Sequence, residues 1–129
     1  MLSNMKSSDV LIIEDDELTR MLIQRILERE FQFEITTYSN GLEGLKCAQS
    51  KRHKLIILDL MLPGMNGYDI LKELRSGGLD ESTKVIVVSG KSRSEDIERG
   101  FELDADEYIT KPFQQQEFVV RVRKLLKAG

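Results

Sequence analysis

Short aliphatic, β-branched runs alternate along this chain with longer segments whose apolar residues lie three and four apart, and this alternation restricts the fold more than any other feature. Val10–Ile13, Phe33–Tyr38, Leu55–Leu58, Val85–Val88 and Glu107–Thr110 read as strands. Between them, Leu18, Leu22 and Ile26 set a first helix; Leu42, Leu45 and Ala48 a second; and Ile70, Leu71 and Leu74 a third. Ile97 and Phe101 set a fourth, and Phe118, Val122, Leu125 and Leu126 a last. Gly77, Gly78 and Asp80 punctuate the connection after the third helix. A strict strand–helix order predicts an α/β fold of (βα)5 type, doubly wound around a parallel sheet.

The strands differ in a way that orders them. Strands one, three and four are continuously aliphatic, as parallel strands covered by helices on both faces must be. Strand two alternates Phe33, Ile35 and Thr37 with Glu34, Thr36 and Tyr38, which marks an edge, and strand five, with polar Glu107 and Thr110, suits the opposite edge. With right-handed crossovers these constraints give a five-stranded parallel sheet in the order 2-1-3-4-5. The strand order then reverses between strands one and three, and ligands are expected outside their carboxyl ends.

A length of 129 residues suits one domain. Met1–Ser8 has no apolar stretch of the kind a signal peptide carries, so residues 1–8 read as a flexible leader ahead of a domain over 9–129. No aliphatic run approaches the roughly 20 residues that span a bilayer. Cys47 is the lone cysteine and cannot form an internal disulfide; it reads as a packed helix residue in a reducing compartment, and a cytoplasmic location is expected. His53, between Arg52 and Lys54, reads as part of a polar connection with no catalytic role. A net charge of −3 and a pI near 5.3 argue against nucleic-acid binding by this domain itself.

The chemistry gathers at strand ends. Glu14, Asp15 and Asp16 follow strand one, and Asp59 ends strand three. Carboxylates converging on one edge need protonation, a basic partner or a cation, and a hard oxygen-liganded ion such as Mg²⁺ suits them. Asp16 is better read as the N-cap of the first helix, with Glu17 favourable to its dipole. Ser89 and Gly90 end strand four, offering a hydroxyl and an unobstructed approach. Lys111 ends strand five as a charge partner for the acids, and the isomer of the Lys111–Pro112 bond is open at this level.

Taken in order, Val10 to Asp16, Leu55 to Gly67 with its Asp59-Leu60-Met61-Leu62-Pro63-Gly64 core, Val85 to Gly90, and Ala105 to Phe113 resemble the receiver domain of two-component response regulators. The resemblance runs over residues 9 to 127. It implies a flavodoxin-like fold and a phosphorelay role in which Asp59 accepts a phosphoryl group from a sensor histidine kinase or phosphotransfer protein. It further implies Mg²⁺, replaceable by Mn²⁺, held by Glu14, Asp15, Asp59 and the backbone carbonyl of Met61. Ser89 would hydrogen-bond the phosphoryl group and Lys111 would neutralise it. Tyr108 matches the family's aromatic switch residue, although a half-buried strand aromatic would read the same way. Such a protein is a switch that assists its own phosphorylation and slow dephosphorylation, not an enzyme of metabolism.

Glu-Asp in place of Asp-Asp, and serine in place of the more usual threonine, are departures that leave this function intact. Asp104 stands where the family often has glycine, so a left-handed backbone is expected there. The resemblance also implies an output face of helix four, strand five and helix five, and a possible homodimer in which Arg121 meets Glu107 across the interface. Against that, the helix-four position usually basic in the DNA-binding branch is Ile97, which leaves Glu117 without its expected partner. A phosphohydrolase using a strand-end aspartate would place a second aspartate where Met61 stands. A receiver reduced to a binding module would lack the acceptor, acid pair or lysine, and all are present.

Overall fold

A computed structural model describes residues 8–77 and 82–128. Residues 1–7 of the leader expected over 1–8, and the expected turn residues Gly78 and Asp80, lie outside the described residues; Ser8 is described, its Oγ donating to the Val10 carbonyl at 3.2 Å and accepting from the Thr36 hydroxyl at 2.7 Å. The elements run β1 (Val10–Ile13), α1 (Glu17–Phe31), β2 (Ile35–Tyr38), α2 (Gly41–Ser50), β3 (Leu55–Leu58), α3 (Gly67–Ser76), β4 (Lys84–Ser89), α4 (Ser94–Glu102), β5 (Glu107–Thr110) and α5 (Gln115–Ala128). All strand pairs are parallel and the order is β2-β1-β3-β4-β5, as the aliphatic content of the strands predicts.

Alternating strand side chains feed two cores. Leu11, Ile13, Ile56, Leu58, Val85 and Val87 face α2 and α3, where Leu45, Ala48, Ile70, Leu71 and Leu74 meet them. Val10, Ile12, Leu55, Ile57, Ile86 and Val88 face α1 and α5, against Ile23, Ile26, Leu27, Phe118 and Val122. Strands β1 and β3 are wholly buried because both faces are covered, which is why they carry no polar residue, and β4 is buried from Val85 to Ser89.

Several helix faces differ from the expected ones. Leu18 and Leu22 are 78% and 46% exposed, and α1 buries Ile23, Ile26 and Leu27 instead. Residues four apart drift about 40° around a helix, so a stripe through Leu18, Leu22 and Ile26 rotates away from the core by two such steps. Leu42 and Phe101 are likewise exposed, whereas Leu45 and Ala48 are buried as expected. Strand β2 begins at Ile35 rather than Phe33, because Phe33 leaves the ladder to stack on Phe31 with ring centroids 5.3 Å apart. Strand β4 reaches one residue further at each end, and so takes Ser89 into the sheet.

His53 is a correction. Its neighbours Arg52 and Lys54 are exposed, yet His53 is buried, held by the Thr83 hydroxyl donating to its carbonyl at 2.7 Å. Asp104 has φ 69°, the left-handed conformation expected where glycine is frequent. The Lys111–Pro112 bond is cis.

Candidate functional site

The carboxyl ends of β1, β3, β4 and β5 form one rim. The ladder continues one residue beyond β1 and β3: Glu14 N–H donates to the Tyr38 carbonyl and Asp59 N–H to the Ile13 carbonyl, each at 3.0 Å. Backbone pairing therefore sets Glu14 and Asp59 side by side. Asp15 is exposed above them, and one ligand atom from each of Glu14, Asp15 and Asp59 lies within 4.8 Å of the others.

Lys111 closes the cluster, with Nζ 2.7 Å from Glu14 Oε1 and 3.2 Å from Asp59 Oδ2. The Met61 amide donates to the other Asp59 oxygen, Oδ1, at 3.1 Å, so each oxygen of that carboxylate has a fixed neighbour. Asp16 lies apart as the N-cap of α1, accepting from Thr19 N at 2.9 Å. Those hydrogen bonds from Thr19 hold its carboxyl below the usual range.

Burial is the first cause of the electrostatics here. It pushes the Glu14 carboxyl up to about 7; Lys111 opposes the rise and the negative charge of Asp59 adds to it. Burial works against the Lys111 ammonium too, but Glu14 and Asp59 outweigh it and raise its pKa. Three carboxylates against one ammonium leave an excess of negative charge in a largely dry cleft, with Asp15 open to solvent. That donor set fits a small divalent cation with oxygen ligands and retained waters.

The sign of the resulting pH dependence is fixed. Glu14 binds its proton more tightly in the fold than at its ordinary value of 4.5, so stability from this group is present at low pH and lost as pH rises from there through about 7. Without divalent ions, denaturant midpoints should fall across that interval, and Glu14→Gln should flatten the fall. An equal slope in that variant would show that Glu14 is not its source.

Ser89 is fully buried, its Oγ accepting from Lys91 N at 3.2 Å and its carbonyl from Lys111 N at 2.8 Å. Tyr108 is buried rather than half-buried. Its hydroxyl donates to the Lys91 carbonyl at 2.7 Å, and burial pushes it up to about 12. Room for the ring comes from Gly100, where a Cβ would stand 2.8 Å from Tyr108 Cδ2. Arg121 meets Glu107 at 2.8 Å within its own chain, so this ion pair, expected between two copies, is satisfied inside one. Ile97 packs half-buried against the α3-side core.

Two contributors escaped the sequence reading. Arg20 Nη1 donates to the Glu14 carbonyl at 3.0 Å and to that of Asp15 at 3.4 Å, clamping the acidic loop from α1. Arg75 donates to the Asp104 and Thr83 carbonyls and pairs with Asp106 at 2.6 Å, tying α3 to the start of β4 and β5. A basic residue one turn past an acidic loop was the available signal for Arg20; Arg75 and Asp106 lie too far apart in sequence for any local pattern.

Residues 10–123 match the family described as response regulator receiver domain. The chain is 40% identical over 121 residues to the transcriptional regulatory protein SrrA of Staphylococcus aureus, covering 94% of this chain and 48% of the relative. It thus spans about half the length of the curated relatives it matches. The Francisella response regulator 1452 receiver domain superposes with TM-score 0.84 at 30% identity, over 95% of this chain and 98% of that one. The receiver domain of the sensor histidine kinase PA1611 from Pseudomonas aeruginosa has the same fold, with TM-score 0.82 at 21% identity over 94% and 98% of the two chains; that protein has magnesium coordinated in its active site cleft. No helix among the described residues is long and apolar enough to cross a membrane.

Proposed function

The chain belongs to the response regulator receiver domain family, and from that premise we propose that Asp59 is its phosphoacceptor, taking a phosphoryl group from a phosphohistidine on a sensor kinase or phosphotransfer protein. The observation that carries this reading is the pair of contacts on Asp59: Oδ1 is tied to the Met61 amide, and Oδ2 faces Lys111.

In the transfer, an Asp59 oxygen attacks phosphorus in line, the phosphorus–nitrogen bond of the donor breaks, and its electron pair returns to the imidazole. Oδ2 is the oxygen turned toward the cleft, because Oδ1 is anchored. Lys111, released from part of its pairing with the carboxylates, neutralises charge on the phosphoryl oxygens. The Ser89 hydroxyl supplies a hydrogen bond once it leaves the Lys91 amide. Glu14, Asp15, Asp59 and the Met61 carbonyl would hold Mg²⁺, or Mn²⁺ in its place, which when bound supplies charge neutralisation to the phosphoryl oxygens. Hydrolysis of the acyl phosphate at the same rim would then reset the switch. Movement of Ser89 would be transmitted through Lys91 to Tyr108, and so to the face of α4, β5 and α5, the surface we assign to output or self-association.

The test is incubation with acetyl phosphate. With Mg²⁺, a single alkali-labile phosphoryl group should appear and map to Asp59; without it, labelling should fall to background. Mg²⁺ alone should raise the melting temperature by linkage, and Asp15→Asn should reduce the rise. A label on Ser89, or labelling indifferent to Mg²⁺, would overturn the proposal.

A further inference from the structure

Helix α4 buries little of itself. Among its residues, all of them described, Gly100 is the one that is buried, and Arg93 at the N-cap makes no side-chain cap bond. By contrast α3 buries Tyr68, Ile70, Leu71 and Leu74. Half-buried Ile97 gives α4 an aliphatic contact with the α3-side core. Helices in proteins owe most of their stability to a packed apolar face, so a helix with so small a face depends on the few specific contacts that reach it.

Two buried aromatics make those contacts. Tyr108 of β5 lies against Gly100, in the space a Cβ would need. Tyr68 of α3 meets the same side of the helix: its hydroxyl donates to the Asp96 carbonyl at 3.2 Å, and the Arg99 guanidinium lies 4.2 Å from the centre of its ring. Asp96, Arg99 and Gly100 are three and four apart, so one face of α4 receives both rings. Tyr68 is 3% exposed, and burial beside Asp96 raises its pKa, so the phenol keeps the proton it donates.

Tyr68 is also tied to the rim. Asn66 Oδ1 accepts from its amide at 2.8 Å. Gly67, the residue between them, donates to the Leu60 carbonyl at 3.1 Å and leaves no room for a Cβ against the Asp59 carbonyl. Two paths therefore run from the acid cluster to α4. One leaves Ser89 through Lys91 and Tyr108; the other leaves the Asp59 loop through Gly67 and Tyr68.

We propose that Tyr68 is a positioning residue of the switch, fastening α4 to α3 and carrying the state of the Asp59 loop to that helix by a path separate from Ser89 and Tyr108. The fastening is independent of phosphoryl chemistry; the carrying rests on the phosphoacceptor reading of Asp59.

Amide hydrogen exchange on the Mg²⁺-free chain tests the fastening. Tyr68→Phe keeps the ring and loses the hydroxyl, and should speed exchange across Asp96–Glu102 about fivefold while α1 and the sheet stay as in the parent. Arg99→Met should speed it about threefold in the parent but add little to Tyr68→Leu, where the guanidinium has already lost the ring. Beryllofluoride with Mg²⁺, a mimic of a phosphoryl group on Asp59, tests the carrying. In the parent, amide NMR shifts should reach Ser89, Lys91 and Asp96–Arg99. In Tyr68→Phe the shifts at Ser89 and Lys91 should persist while those at Asp96–Arg99 fall by about half or more; a residue that merely packs would leave the two groups in their parental ratio. If Tyr68→Leu does not fold, Tyr68→Phe and Arg99→Met decide. Parental exchange in both of these overturns the fastening. A parental ratio of shifts, or a parent whose shifts never reach α4, overturns the carrying. A parent without shifts at Ser89 and Lys91 overturns the phosphoacceptor reading and the carrying with it, whereas the exchange result stands.

Discussion

Asp59→Asn is expected to lower acyl-phosphate formation from acetyl phosphate below detection while leaving the fold intact. A carboxamide oxygen is a poor nucleophile, and a phosphorylated carboxamide is not a stable product, so the chemistry has no alternative route through the same side chain. The two side chains are close in shape. The carboxamide of the variant keeps an oxygen for the Met61 amide, which in the parent sits 3.1 Å from Asp59 Oδ1. What disappears is a negative charge from a buried cluster in which Glu14 is already forced up to about 7, partly by Asp59. Stability in the absence of Mg²⁺ should therefore be equal to or above that of the parent, as at other sites where function is held against stability. Intact-mass spectrometry after donor treatment and a thermal melt make the comparison. Labelling that survives in the variant would move the acceptor elsewhere, and a large loss of stability would mean that Asp59 is mainly structural.

Gly67→Ala should produce the largest loss of stability of any single methyl added to the described residues near the site. A Cβ there would overlap Leu60 Cα and stand 2.7 Å from the Leu60 carbonyl oxygen and 2.8 Å from that of Asp59. These are backbone atoms and cannot rotate away. Gly67 N–H also donates to the Leu60 carbonyl at 3.1 Å, so the first turn of α3 folds directly onto the end of β3. Relief requires α3 to move off the sheet, which would disturb the buried Tyr68, Ile70, Leu71 and Leu74 together. A cost of about 3 kcal/mol or more is expected, at or beyond the upper end of ordinary overpacking. Chemical denaturation measures it. Gly90→Ala is the control for stability, since a Cβ at Gly90 meets nothing within 4 Å. Similar midpoints for the two variants would refute the close approach. Because one of the two crowded carbonyls belongs to Asp59, the same substitution should slow phosphorylation even in the fraction that folds.

Legibility varies with the distance over which the determining contact acts. Val10–Ile13 and Leu55–Leu58 are readable because a strand buried on both faces must be aliphatic along its length, a demand visible residue by residue. Asp16 is readable as a cap because the bond it accepts comes from Thr19, three residues on. The exposed face of α1 is not: Leu18 and Leu22 look as apolar as Ile23 and Leu27, and only the position of the sheet decides between the stripes.

The sequence by itself determined the strand order and the arrival of Glu14, Asp15, Asp59, Ser89 and Lys111 at one rim. Aliphatic content separates interior from edge strands, crossover handedness leaves few topologies, and residues following a parallel strand must emerge at its carboxyl end. Only the tertiary structure decided how those groups share one space. Lys111 pairs with Glu14 as well as Asp59, Tyr108 turns inward over Gly100, Arg121 satisfies Glu107 within its own chain, and His53 goes under cover between charged neighbours. Each outcome depends on which side chains from distant segments reach the same few ångströms and how much water they exclude, and no local period or propensity carries that information.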